Sequence, residues 1–380
     1  MIYFDNNATT PLDPQVLDSM LPFLRDQFAN PSSGSTVARI VNKAVKKART
    51  QVAELLGCEP EEVVFTSGGT ESDNSAIFSA TEIFPTRKHI VSSAVEHDAI
   101  LRYLAWLEET RGYEISRLCV NSDGQLDLDE LRSSIRPGET ALVTLMWGNN
   151  ETGVIFPIRE AARIVSEQDV IFHSDAVQAV GKVPINLREA NLSYLSLSGH
   201  KLHGPKGIGA LYVNRNVPFR PWMHGGGQEN FRRSGTENVA GIVGLGQAAE
   251  MARQHLGESF ALRDRFEREL RQRIPDVEFN GAASERTPNT CNVRIPGTQA
   301  DGMMILLDQK GIAVSAGSAC HTGALHPSHV LQAMGQSAEV ARECLRISFS
   351  KFNTGDDLAT LLDALESATR KMRSLLGNGG

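Results

Sequence analysis

The sequence has few cysteines, and no two of them form a C-x-x-C pair. Their number, five in 380 residues, is odd, which favours a reducing compartment over a disulfide framework. Four of them lie in apolar or helix-end contexts, where we expect small core residues: Cys58, Cys119, Cys291 and Cys344. The fifth, Cys320, lies in SAGSACHTGALHPSH, a segment that offers few side chains for a core.

Long apolar runs and an excess of basic residues are also missing. No apolar stretch approaches the roughly 20 residues that a membrane span needs, and MIYFDNNATTP at the N-terminus has no export or transit character. The 38 basic and 45 acidic residues give a net charge of −7. We therefore expect no membrane association and no direct nucleic-acid contact, since phosphate neutralisation needs clustered Lys and Arg. The expected location is the cytoplasm.

Strands and helices alternate through the first two thirds of the chain. Residues 38–56 place apolar side chains at helical spacing and stop at Gly57, which predicts an amphipathic helix. Seven short β-branched segments follow, and several are separated by enough chain for a helix: EVVFT, HIVSS, ISRLCV, ALVTLMW, VIFHSD, YLSLSG and GALYVN. This order predicts an α/β fold whose mostly parallel, seven-stranded sheet is covered by helices.

The pattern changes near residue 250. Residues 244–274 form a long, charged, helical segment, and CNVRI, IAVSA and CLRISF look like strands of a smaller α+β domain. We predict a large domain over 15–255 and a small domain formed by 1–14 and 256–380. The last helix should begin near Asp356 and end near Arg373, charges that match the helix dipole.

Three segments at predicted strand ends carry polar residues. TSGGTESDN (66–74) offers free backbone N–H groups at a helix start, which suits a phosphate, although a plain strand-to-helix turn uses similar residues. In VIFHSDAVQAVG (170–181), Asp175 ends a strand where open α/β sheets bind ligands, but it could equally be an N-cap.

The third segment is LSLSGHKLHGPKGIGA (195–210), where Lys201 and Lys206 follow a strand. Desolvation lowers the pKa of a lysine amine, as imine chemistry requires, but the residues alone do not choose between these two lysines. A phosphate cradle, a strand-end carboxylate and a lysine are together the parts of a pyridoxal phosphate site.

The chain resembles the cysteine desulfurases, pyridoxal-phosphate enzymes of fold type I, and within them the nitrogen-fixation and iron–sulfur housekeeping group. The resemblance runs nearly end to end and rests on ordered motifs: YFDNNATTP, FANPSS, VFTSGGTESDN, VEHDAI, MWGNNETGV, HSDAVQAVGK, SGHKLHGPKGIG, RRSGTENVA, SAGSAC and LRISFS. It implies conversion of L-cysteine to L-alanine, with the sulfur passed to an acceptor such as an iron–sulfur scaffold or a thiolation enzyme.

The resemblance also assigns the cofactor contacts. Lys201 is implied as the lysine that carries pyridoxal 5'-phosphate, Asp175 as the partner of the ring nitrogen, and Gln178 as the partner of the ring hydroxyl. His97 is implied to stack on the ring and to move protons. The cofactor phosphate would be bound by the segment TSGGTESDN, here called the cradle, and by the segment around Lys201, here called the lysine loop. The residues are Gly69, Thr70, Ser198 and His200. Thr236 would complete the site of the other subunit in a homodimer.

For the substrate, the resemblance implies that Arg346 clamps the carboxylate beside Asn150, since a guanidinium fork matches two oxygens; a salt bridge is the structural alternative. Cys320 would attack the substrate sulfur as a thiolate and become a persulfide, so it should be accessible. The chain departs from the family pattern at His321, where a hydroxyl residue is usual, and at His326, where an acidic residue is usual.

Three alternatives stay open. A selenocysteine lyase is the nearest, because those relatives also can have histidine after the cysteine. An aminotransferase or lyase of this fold would not need Cys320. A metal-binding or sulfur-carrier module could use Cys320, His321, His326 and His329, but their spacing matches no recognised zinc pattern, and we predict no metal site.

Overall fold

Short strands alternate with helices along the chain. The computed structural model describes residues 1–256, 261–316, 327–375 and 377. The strands are β1 (Ile2–Tyr3), β2 (Val63–Thr66), β3 (His89–Ser93), β4 (Glu114–Leu118), β5 (Thr140–Thr144), β6 (Ile171–Asp175), β7 (Tyr194–Ser198), β8 (Gly209–Val213), β9 (Glu278–Phe279), β10 (Thr290–Arg294), β11 (Ile312–Ala313) and β12 (Cys344–Ser348).

The helices account for most of the chain between the strands. They are α1 (Pro14–Arg25), α2 (Thr36–Leu56), α3 (Gly69–Ile83), α4 (Asp98–Arg111), α5 (Leu128–Ser134), α6 (Ile158–Ser166), α7 (Leu187–Ala190), α8 (Val239–Gln254), α9 (Ala261–Arg273), α10 (Ala300–Asp308), α11 (His329–Ala333), α12 (Ala338–Ala341) and α13 (Gly355–Leu375). A 3-10 helix at Gly199–Lys201 directly follows β7. Among the described residues, no helix is long and apolar enough to cross a membrane.

The largest sheet has seven strands in the order β2-β8-β7-β6-β5-β3-β4. Only β8 runs antiparallel to its neighbours, and every residue of β6 and β7 is buried. The predicted α/β fold with a mostly parallel seven-stranded sheet is therefore confirmed. Because β2, β3, β5, β6 and β7 point the same way, their carboxyl ends share one edge, where open α/β sheets bind ligands.

Helix α2 forms where the apolar spacing predicted it. The Ser35 side chain accepts the N–H of Ala38 at its start, and Gly57, at φ +67°, ends it. Val41, Val45 and Val52 are buried along one face. The helix packs on α8, and a Cβ at Gly246 of α8 would lie only 2.5 Å from the Cα of Ala48, so this glycine permits the close approach.

A second core lies around two smaller sheets. Strand β10 pairs antiparallel with β9 and β12, and β1 pairs in parallel with β11. Phe4 and Phe349 pack edge to face there, with ring centroids 5.2 Å apart. Val330 and Leu331, by contrast, pack into the core of the large sheet. The division into domains over 15–255 and over 1–14 with 256–380 stays a prediction.

Two details differ from the sequence expectations. Segment 244–274 contains two helices, because α8 ends at Gln254 with His255 as its C-cap. Of the four cysteines expected in the core, Cys58, Cys291 and Cys344 are buried but Cys119 is exposed. That expectation was wrong for Cys119 because β4 is an edge strand, and the residue after its end turns outward.

Candidate active site

Five loops at one edge of the large sheet bring together residues that are far apart in sequence. The loops follow the carboxyl ends of β2, β3, β5, β6 and β7. They carry most of the predicted site residues: Gly69, Thr70, His97, Asn150, Asp175, Gln178, His200 and Lys201. Parallel strand order thus produces the cluster without any sequence proximity.

Lys201 ends the 3-10 helix after β7, and its amine is held against the N-terminal segment. Its Nζ donates to the carbonyl oxygens of Asn7 at 2.5 Å and Ala8 at 2.7 Å. Burial and the nearby Arg346 lower the pKa of Lys201 to about 8, so half of the amine is neutral near pH 8. Lys206 is exposed, and the geometry therefore favours Lys201 as the reactive amine.

Asp175 is the last residue of β6 and is buried. Its Oδ1 accepts the N–H of Val177 at 2.9 Å, so it caps the turn after β6, while the next helix begins only at Leu187. Burial raises the pKa of Asp175, while His97 and Lys201 lower it. The three groups lie at or after the carboxyl ends of β6, β3 and β7, which share one edge of the sheet.

His97 has a structural role besides its place at the site. It is the N-cap of α4, and its Nδ1 accepts the N–H of Ala99 at 3.1 Å. In the neutral ring the proton is therefore on Nε2. The ring is exposed, which leaves it accessible to a ligand.

The start of α3 forms a tight cradle. A Cβ at Gly69 would lie 2.8 Å from Cγ2 of Val177 and 3.8 Å from Cβ of Ser198, so the first turn of α3 meets the ends of β6 and β7. Backbone N–H groups at a helix start lack intrahelical partners and suit an anion. Thr70 is exposed in this turn, and Ser198 is buried beside it.

His200 lies between the cradle and the N-terminal segment. Its Nδ1 lies 3.1 Å from Oγ1 of Thr9. Burial, together with nearby lysines including Lys201, lowers the pKa of His200 to about 4. The ring is therefore neutral at physiological pH and can donate one N–H.

Gln178 lies in the turn after β6 and is buried. Its Nε2 donates to the carbonyl of Asn7 at 2.9 Å, and its Oε1 accepts from Nζ of Lys182 at 2.7 Å. Sequence reasoning gave no role to Asn7 or Lys182. Both residues lie in motifs quoted above, YFDNNATTP and HSDAVQAVGK. Nothing in the sequence indicates that either side chain contacts the candidate active site.

Arg346, on β12, faces the site from the second core. Its Nη1 donates to the carbonyl of Asn150 at 3.0 Å and its Nη2 to Oδ1 of Asp5 at 2.7 Å. The side chain is only 5% exposed, and its Nε has no partner among the described residues. The salt bridge disfavoured from sequence is therefore present, and it leaves one buried donor for a ligand.

The segment that carries Cys320 is anchored at both ends beside this site. Ser315 pairs with Arg346 through two backbone hydrogen bonds, and Ser328 donates to a carboxylate oxygen of Glu151 at 2.5 Å. His329 Nε2 contacts the carbonyl of Glu96 at 3.0 Å, next to His97. Cys320, His321 and His326 lie outside the described residues.

The last predicted site residue, Thr236, lies apart from this cluster in sequence. Thr236 is exposed in the turn before α8, and its reach into another subunit stays a prediction. Within 1–256, 261–316, 327–375 and 377, no group of three His, Cys, Asp or Glu side chains could hold a metal ion.

The family model described as aminotransferase class-V matches residues 2–361. The chain belongs to the class-V aminotransferases, as a cysteine desulfurase. It is 48% identical over 379 residues to a cysteine desulfurase of Nostoc sp., covering 99% of this chain and 94% of the relative. The cysteine desulfurase NifS of Azotobacter vinelandii is 43% identical, with 100% and 96% covered.

The fold comparison agrees. A solved NifS-like protein superposes with a TM-score of 0.89 at 36% identity, covering 96% of this chain and 98% of that one. Membership of this family implies pyridoxal 5'-phosphate, and the residues present fit that group. The Gly69 cradle, the buried Asp175 and the low-pKa amine of Lys201 supply an anion site, a partner for a ring nitrogen and an imine-forming amine.

Proposed function

We propose that the chain takes the sulfur of L-cysteine onto Cys320 as a persulfide, releases L-alanine and passes the sulfur to an acceptor protein in the cytoplasm. The observation that supports this most strongly is that hydrogen bonds through Asn7 and Asn150 link Lys201 at the sheet edge to Arg346 of the second core. The segment with Cys320 is anchored on both sides of this cluster.

The residues of the sheet edge would hold the cofactor. Lys201 would bind it covalently, Asp175 would pair with its ring nitrogen and Gln178 with its ring hydroxyl, and His97 would stack on its ring. Its phosphate would be bound by the α3 start and the lysine loop: Gly69, Thr70, Ser198 and His200. When bound, pyridoxal phosphate accepts the electron pair from the α-carbon of an amino acid.

Arg346 and Asn150 would bind the substrate carboxylate. The unpartnered Nε of Arg346 is a buried donor, and a guanidinium beside a carboxylate forms strong charge-assisted hydrogen bonds. Asp5 would share the charge of Arg346 and fix its orientation. The amine of Lys201 would be able to accept and return a proton near neutral pH, because its pKa is about 8.

Cys320 would be the nucleophile. Its thiolate would attack the substrate sulfur, so that the new S–S bond forms as the Cβ–S bond of the substrate breaks and the sulfur remains on Cys320. The electron pair of the broken bond would stay with the substrate, whose Cβ takes up a proton and becomes the methyl group of alanine. Cys320 follows Ala316 by four residues, which covalent geometry limits to roughly 14 Å. Since Ser315 pairs with Arg346, the chain that leads to Cys320 starts beside the proposed carboxylate clamp.

The catalytic unit would be a homodimer, in which Thr236 completes the phosphate site of the other subunit. Its exposure in the turn before α8 makes it available for such a contact. An iron–sulfur scaffold or a thiolation enzyme would be the sulfur acceptor, because a persulfide is a transferable form of sulfur for both.

The proposal is tested with the protein loaded with pyridoxal phosphate and given L-cysteine. We expect alanine formation and persulfide on Cys320, both abolished by Cys320→Ala while the visible cofactor band remains. Cys119→Ala, which removes the exposed thiol, is the matched control and should keep full activity. Full activity of Cys320→Ala would refute the persulfide route, and a protein that takes up no cofactor would refute the whole proposal.

A further inference from the structure

Lys182, in the turn between β6 and α7, contacts two residues of the active site. Its Nζ donates to Oε1 of Gln178 at 2.7 Å and lies 3.4 Å from Oδ1 of Asn7. It forms no ion pair in the part of the chain that the structure describes. Burial, together with the nearby cations of Lys201 and Arg346, lowers its pKa to about 7.

The ammonium is therefore costly where it lies, and packing does not require it. Lys182 lines a cavity of about 370 Å³, together with Lys201, Asn6 and Gly181. A methionine or leucine would provide the same apolar stem without a buried charge that lacks a carboxylate. Packing alone therefore does not explain why a hydrogen-bond donor occupies position 182.

The hydrogen bond from Lys182 affects the orientation of the Gln178 side-chain amide. Nζ of Lys182 donates to Oε1 of Gln178, and in its protonated form it can only donate, so this contact keeps Oε1 toward Lys182 and Nε2 on the other side. One N–H of Nε2 is taken by the carbonyl of Asn7 at 2.9 Å. The second N–H remains available to a ligand oxygen.

We propose that Lys182 is a positioning residue that holds the Gln178 amide with this second N–H directed at the ring hydroxyl of the cofactor. The proposal rests on the proposed function, since it requires pyridoxal phosphate beside Gln178. Without Lys182, the carbonyl of Asn7 is the one remaining contact among the described residues that orients the amide, and Oε1 loses its donor, so the second N–H is held less firmly toward the ring oxygen. Asn7 supports the arrangement because its carbonyl accepts from both Gln178 and Lys201.

The test measures cofactor binding to the full-length apoprotein and the pH midpoint of its visible band. Lys182→Met should weaken the Kd for pyridoxal phosphate about tenfold, the loss of one buried hydrogen bond to a charged group. It should also move the pH midpoint of the band by about one unit. Gln178→Leu should have the same effects, and the double variant should match Gln178→Leu alone. Lys310→Met, an exposed change, should alter neither quantity.

Lys182→Arg keeps a cationic donor, and the cavity gives it room, so its Kd should stay within about threefold of wild type. This variant carries the test if Lys182→Met does not fold. A Kd for Lys182→Met within twofold of wild type would overturn the proposal. The proposal would also be overturned if the increases in Kd of the two single variants multiplied in the double variant. A tenfold weaker Kd for Lys182→Arg, with unchanged thermal stability, would overturn it as well. If the wild type itself takes up no pyridoxal phosphate, the proposed function fails instead.

Discussion

The carbonyl oxygen of Asn7 accepts from Nζ of Lys201 at 2.5 Å, which ties the lysine loop of the large sheet to the N-terminal segment. The Asn7 side chain extends this link, because its Nδ2 donates to Oγ1 of Thr290 at 2.8 Å and to the carbonyl of Asn150 at 3.1 Å. One buried residue thus joins the candidate active site to the second core.

Asn7→Ala should lower the free energy of unfolding by about 2 kcal/mol, since it leaves buried partners unsatisfied. Urea unfolding of the apoprotein measures this. The backbone carbonyl that contacts Lys201 remains in this variant. The decrease in the free energy of unfolding therefore measures the contribution of the Asn7 side chain. Asn121→Ala, in an exposed turn, is the control and should cost less; equal losses would contradict the linking role of Asn7.

His97→Asn separates the ring of His97 from its capping role. Asparagine also caps helices well, so the start of α4 should persist and stability should change by less than about 1 kcal/mol. Loss of the ring should still reduce L-cysteine turnover by about a hundredfold, the range of a missing acid–base group. If this folded variant turned over L-cysteine at nearly the wild-type rate, the role of His97 would be only to cap α4.

Arg346→Lys tests the carboxylate clamp. Lysine keeps the charge but loses the planar fork, so the KM for L-cysteine should rise about tenfold or more, the loss of one charge-assisted hydrogen bond. The visible cofactor band should remain. The steady-state KM and the absorbance spectrum measure the two effects, and an unchanged KM would mean that Arg346 serves only its salt bridge with Asp5.

The depressed pKa of Lys201 predicts a pH dependence of apoprotein stability. The folded pKa is about 8 and the unfolded pKa is near the ordinary value, so between them the unfolded state binds more protons. This lysine therefore destabilises the fold below pH 8, and the penalty disappears as the pH rises toward 10.

Lys201→Met removes this contribution. Its stability relative to wild type should be highest near pH 7 and fall by pH 10, and urea unfolding at both values measures the difference. The comparison cancels the opposite trend from buried tyrosine and cysteine groups, whose pKa values are raised. A difference independent of pH would contradict a depressed Lys201 pKa.

The sequence predicted the fold where local signals and burial agree. Each strand of the large sheet lies in a short segment rich in apolar residues, and β6, from Ile171 to Asp175, is buried throughout. Lys182 was missed because a lysine after a glycine turn resembles a surface residue, and Asn7 because it acts partly through its backbone carbonyl. Cys119 was misplaced because an edge strand differs from an inner one only through its tertiary neighbours.

The most direct test of the account is a single turnover of the pyridoxal-phosphate-loaded protein with L-cysteine, followed by mass measurement of the peptide that contains Cys320. The account predicts that this peptide gains one sulfur atom in step with the release of one alanine, and that the Cys119 peptide gains none. Alanine released without added sulfur on the Cys320 peptide would contradict it.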